Sequence, residues 1–223
     1  MYCVIAGDMI ASRTKDAATR DAILSAAHAA FERINREYAS EVLVRFGMVR
    51  GDAFEGALRA PRRAPEIVQR IIKAFSAADG ARVRIAAACG ELTVVSADRN
   101  EADGPAFQDA FALIEQLKKN KSSHWLQVAI QADGAAQPLL DGMLGLLSAL
   151  TEGWTGRQRQ MAWAMDKASG QQKQVAQLLG VSRSTVSKQL KSAHYIAYRE
   201  AWNRLTEYLT TYEGMQDEQI CRK

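Results

Sequence analysis

The sequence predicts an α+β fold followed by an all-α unit, and three observations point there. Short apolar runs with strand character alternate with amphipathic helical stretches as far as Gly134. Beyond Ala135 the strand signal stops and apolar positions recur at helical spacing. Within that second part, residues 171–191, QQKQVAQLLGVSRSTVSKQLK, read as two short helices joined by a tight turn. The expected organisation is an α+β domain over 1–134, a helical connector over 135–154, a helix-turn-helix domain with a long C-terminal helix over 155–214, and a tail over 215–223.

The first strand is YCVIA at 2–6, an apolar run that ends at Gly7-Asp8. Residues 17–38 place Ile23, Ala27, Ala30, Phe31 and Ile34 on one helical face. Glu41 to Val49 alternates, with Val42, Val44, Phe46 and Met48 on one side, and Ala53 to Leu58 resumes beyond a hairpin tip at Arg50-Gly51-Asp52. Pro65 opens a helix that turns Ile67, Ile71, Ile72 and Phe75 inward and ends near Asp79-Gly80. A strand over 82–90 carries Val83, Ile85 and Ala87, a helix over 105–119 carries Phe107, Phe111, Ile114 and Leu117, and a last strand over 124–131 carries Trp125, Val128 and Ile130. The order is βαββαβαβ, a sheet with helices on one face.

Helices then follow over 137–150 and 155–168. In the next pair Val175, Ala176 and Leu179 form an inner face, Gly180 suits a left-handed helix exit, and Ser182 caps the second helix. Val186 and Leu190 pack back, which leaves Arg183, Ser184, Ser187, Lys188 and Lys191 outward, the side-chain types that a major-groove helix uses on phosphates and base edges. Charge agrees. Between Trp154 and Arg204 there are nine Lys and Arg against two acids, although the whole chain carries only +4. The bland alternative is a solvated helical hairpin. On the last helix, 192–212, Tyr195, Tyr198, Trp202, Leu205, Leu209 and Tyr212 recur at spacings of three and four, a seam that serves either the chain's own core or a homodimer.

Asp8 closes the first strand and Asp52 sits at the hairpin tip, so adjacent strands would bring the two carboxylates together. Such a pair suits Mg²⁺ and a triphosphate, with Gly7 and Gly51 letting backbone approach phosphate. Gly-Asp is equally an ordinary turn pair.

The segments IAGDMIASR (5–13) and RFGMVRGDAFEGALRAP (45–61), with the helix-turn-helix that follows, resemble the SatD family of bacterial proteins. The N-terminal part also resembles the palm of class III nucleotidyl cyclases and GGDEF diguanylate cyclases, which implies a ferredoxin-like, nucleotidyl-cyclase-like fold and places Asp8 and Asp52 at its metal-ligand positions. Arg50 stands where that pattern has glycine and Ala53 where it has an acid. Residues 153–193 resemble the promoter-contacting region of sigma factors and LuxR-type output domains. That resemblance implies groove contacts by Ser182, Arg183, Ser184, Thr185, Ser187 and Lys188, a cap at Thr155, and Arg157 and Arg159 near phosphates.

Other chemistries lack their residues. Cys3, Cys89 and Cys221 are far apart without CxxC spacing, so neither a zinc site nor a disulfide framework is expected, and Cys3 and Cys89 read as packing groups. His28, His124 and His194 share no element, and no GxSxG, Walker loop or HExxH occurs. The start MYCVIAGD is no signal peptide and Pro138 to Leu150 is too short for a bilayer, so a cytoplasmic protein without a membrane partner is expected. The function implied is DNA binding, a transcriptional regulator whose palm-like domain senses a nucleotide effector or mediates assembly. The alternatives are a Mg²⁺-dependent nucleotidyl cyclase or other nucleotide-binding enzyme that its helix-turn-helix merely localises, and an interaction protein whose helices bind protein.

Overall fold

In chain order the elements are β1 (Tyr2–Met9), α1 (Ala17–Glu37), β2 (Val42–Arg50), β3 (Ala53–Leu58), a 3₁₀ turn (Pro61–Arg63), α2 (Ala64–Ala77), β4 (Val83–Gly90), β5 (Thr93–Val94), β6 (Ala102–Asp103), α3 (Pro105–Lys119) and β7 (Leu126–Gln131). Then come α4 (Gln137–Glu152), α5 (Gly156–Lys167), α6 (Gln172–Leu179), α7 (Arg183–Ser192) and α8 (Tyr195–Cys221). They are seen in a computed structural model that describes residues 1–10, 16–77, 81–94, 102–119, 126–131 and 134–221. The expected strand start at His124 and Trp125, and the helix end at Asp79-Gly80, lie outside the described residues.

Five strands form one sheet in the order β2-β3-β1-β4-β7, with β1 at its centre. The first four pair antiparallel, while β7 runs parallel to β4. A parallel neighbour needs a crossover, and α3 lies on that crossover. The fold class is α+β, as expected. The one-sided cover is not.

Helices pack on both faces. On one face Cys3, Ile5, Phe54, Leu58, Ile85 and Ile130 meet Phe31, Ile67, Ile71 and Phe75 of α1 and α2 and Leu140 and Leu144 of α4. On the other, Val4, Ala6, Val44, Ala57, Ala86, Ala88 and Ala129 meet Phe107, Ala110 and Ile114 of α3. Alanines fill most of that second face, so α3 can approach the sheet closely. The runs YCVIA and IAAAC are continuous rather than alternating, which is the pattern of strands buried on both sides. Phe111 turns away from this layer and is 46% exposed, against the expected inward face.

β2 also departs from simple alternation. Its pairing to β3 shifts register between Val42 and Val44 and again before Gly47. Val42 and Phe46 therefore join the α1–α2 side while Val44 joins the α3 side. Asn35 of α1 holds the irregular strand in place: its Nδ2 donates to the Phe46 carbonyl and its Oδ1 accepts the Phe46 N–H, both at 2.8 Å.

The core continues from the α1–α2–α4 face into the helices beyond, through Met161, Val175, Val186, Leu190, Trp202, Leu205 and Leu209. Polar links tie the layers. The Trp163 indole donates to Ser76 Oγ at 2.7 Å, Lys73 pairs with Asp166, and Arg62 pairs with Glu213 and, at 3.3 Å, with Glu41. The last helix starts later and ends later than its pattern predicts. His194 takes φ +50° and breaks the chain between α7 and α8, while α8 runs to Cys221, so the expected tail over 215–221 is helical. The Trp154 indole donates to the Ala193 carbonyl at the break, 2.8 Å away. No helix among the described residues is long and apolar enough to cross a membrane.

Candidate functional site

α6 and α7 assemble as their side chains require. Val175 and Val186 are fully buried, with Ala176 and Leu190 nearly so. Gly180 ends α6 with φ +63°, where a β-carbon would be strained. Ser182 is the N-cap of α7: its Oγ accepts the Thr185 N–H at 3.1 Å and lies 2.8 Å from the hydroxyls of Ser184 and Thr185. With the inner face spent on packing, Arg183, Ser184, Ser187, Lys188 and Lys191 are exposed and Thr185 is half-buried. No acid stands in the first turn of α7.

Cations flank this helix at both ends. At its start, Arg183 and Lys173 line a surface hollow of about 460 Å³ together with Gly170, Gln171 and Gln172. Lys173 was visible only as one more positive charge in the basic stretch. At the far end, Thr155 and Gln158 form a reciprocal cap on α5, and Gln158 Nε2 reaches Ser192 Oγ at 3.2 Å. That bond sets the first turn of α5, which carries exposed Arg157 and half-buried Arg159, beside the end of α7.

The acidic pair has a different setting. β1 and β3 are neighbours, and the Met9 N–H donates to the Asp52 carbonyl at 3.2 Å, so the strand end and the hairpin tip do meet. Asp8, however, is engaged by two cations. Its Oδ1 lies 3.0 Å from Arg84 of β4 and its Oδ2 lies 3.3 Å from Lys118 of α3. Lys118 also bonds Glu115 at 2.7 Å; that bond, with the Asp8 charge behind it, raises the ammonium above the ordinary lysine range. A hard divalent ion would have to displace both cations, and no group of three or more His, Cys, Asp or Glu is placed to hold a metal among the described residues. The Mg²⁺ that the cyclase resemblance implies does not fit these residues as they stand. Arg84 and Lys118 could have been suspected only from a register that a single sequence does not reveal.

The two glycines differ as well. Gly7 is buried, and a Cβ there would meet the Phe54 ring at 2.2 Å and the Arg84 carbonyl at 2.4 Å, so core packing accounts for the glycine and phosphate has no approach there. Gly51 is exposed at φ +61° in the two-residue turn between β2 and β3, where the left-handed backbone accounts for it. The side chain of Arg50 lies outside the described residues.

The chain matches the SatD family model over residues 2–208. Among curated proteins no match is found. Among solved structures it is similar to the regulator of polyketide synthase expression from Bifidobacterium adolescentis, at 16% identity and a TM-score of 0.30, over 97% of this chain and 82% of that one.

Proposed function

The chain belongs to the SatD family, and within it we propose that this protein is a sequence-specific DNA-binding protein, a transcriptional regulator in which α6 and α7 form a helix-turn-helix and α7 enters the major groove. One observation carries the reading: α7 buries Val186 and Leu190 while every exposed side chain on it from Arg183 to Ser192 is basic or a hydroxyl. Basic residues at both ends of the helix support it, since backbone phosphates flank the groove on either side. The strand order β2-β3-β1-β4 supports a palm-like, ferredoxin-like reading of the sheet. In this proposal the sheet layer senses an effector or mediates assembly and is not an Mg²⁺-dependent catalyst, because Asp8 is already ion-paired on both oxygens.

The test is selection from a pool of random duplexes, followed by anisotropy titration of the selected duplex at several salt concentrations. The proposal expects enrichment of a defined motif, and an affinity that falls linearly in log–log form as salt rises. A pool that stays random after repeated rounds removes sequence-specific DNA binding.

A further inference from the structure

Cys3 and Cys89 read in sequence as two separate packing groups, and the sheet makes them a pair. Cys3 of β1 directly opposes Cys89 of β4 in their antiparallel ladder, so both side chains leave the same face. Opposed residues in such a ladder have Cα atoms roughly 4.5 or 5.5 Å apart, and both spacings fall inside the range of about 4.4–6.8 Å that a disulfide spans. Both thiols are free. They differ in access. Cys3 has no exposed surface and is flanked on its other side by Leu58 of β3, whereas Cys89 lies near the end of β4 and is only partly buried.

We propose that Cys3 and Cys89 form a peroxide-sensitive dithiol that closes to a disulfide across β1 and β4. The Cys89 thiolate attacks one peroxide oxygen; an S–O bond forms as the O–O bond breaks, and hydroxide leaves. Cys3 sulfur then attacks the sulfenic sulfur of Cys89, the S–O bond breaks, and the Cys3 proton departs with that oxygen as water. Two thiols and one hydrogen peroxide give one disulfide and two waters, sulfur being oxidised and peroxide reduced. The division of roles follows from the surroundings. Its hydrogen bond with Cys89, and its burial, hold the Cys3 thiol well above the ordinary cysteine range, so Cys3 stays inert until its neighbour is oxidised. The bond would tie the strand that carries Asp8 to the strand that carries Arg84, and it rests on the sheet register alone, independent of DNA binding.

The test uses the full chain with Cys221→Ser, so that two thiols remain. After hydrogen peroxide the proposal expects both thiols lost, an intact mass lower by two hydrogens, and a linked peptide joining Cys3 to Cys89, all reversed by dithiothreitol. Two thiols surviving a dose that oxidises a free cysteine, or oxygen added to Cys89 without a linked peptide, would overturn it. Cys3→Ala keeps a small apolar group in the core and removes the resolving thiol, so Cys89 should then gain oxygen under the same dose. Cys89 left unchanged in that variant also overturns the proposal.

Discussion

The Asp8 carboxylate stands 3.0 Å from the guanidinium of Arg84, its directly opposed neighbour on the adjacent strand. Both side chains are less than one-fifth exposed, so the pair is shielded from water in a way that a surface ion pair is not. Asp8→Asn keeps the shape and removes the charge, leaving Arg84 without that partner. The expected loss is about 1–3 kcal/mol, read as a lower melting midpoint. In the parent protein, Mg²⁺ alone should leave the midpoint unchanged, because a ligand stabilises only what it binds. A midpoint that rises with Mg²⁺ in the parent, and not in Asp8→Asn, would restore the metal reading.

That pair also marks the limit of what a single sequence discloses. Periodicity and turn residues located every strand of the main sheet and the start of every helix to within a few positions, because burial of an apolar face is a local pattern, whereas α8 runs on to Cys221, past its expected end at Tyr212. The α6–α7 unit was legible down to its cap and its inner pair, since Gly180, Ser182, Val186 and Leu190 act within a dozen residues of one another. Arg84 and Lys118 reach Asp8 from 76 and 110 positions away, through a strand order that no local pattern encodes. The Cys3–Cys89 pairing was hidden for the same reason. The second covered face is present in the unbroken runs of β1 and β4, but the alternation of Val83, Ile85 and Ala87 along β4 points to one buried face only.

Asn35 shows how much one side chain can carry where β2 is irregular. Its two bonds to Phe46 satisfy a buried N–H and a buried carbonyl next to the register shift. Asn35→Ala should cost about 2–3 kcal/mol through those unsatisfied groups. Asn35→Asp should cost at least as much, since it keeps the acceptor and sets an oxygen against the Phe46 carbonyl. Chemical denaturation of the three proteins checks the order, and an alanine variant within experimental error of the parent would show that water replaces the clamp.

On α8, the seam that offered either a core or a dimer is spent inside the chain. Trp202, Leu205 and Leu209 are at most 2% exposed in a single copy, packed in the same core as Val186 and Leu190. Leu205→Glu would bury a carboxylate there, with an expected loss of about 3–5 kcal/mol. The prediction is a large fall in melting midpoint, whatever the oligomeric state. If sedimentation shows a dimer become a monomer while the midpoint holds, the seam is an interface and its in-chain packing is wrong.

The outward face of α7 offers the sharpest separation of fold from function. Arg183 and Lys188 are exposed, so replacing both by Ala should leave the unfolding free energy within about 0.5 kcal/mol of the parent. Each phosphate contact releases condensed counterions, so the double variant should bind the selected duplex more weakly and lower the log–log salt slope by about one to two. Base-edge contacts predict something further: Arg183→Ala alone, if it touches a guanine, should relax the preference at one position of the motif by about 1–3 kcal/mol while the others keep theirs. Lys188→Ala alone should weaken all duplexes alike if it meets only phosphate. Titration of the parent and the three variants against the motif and its single-base changes separates these outcomes, and unchanged affinity with unchanged slope would take α7 out of the groove.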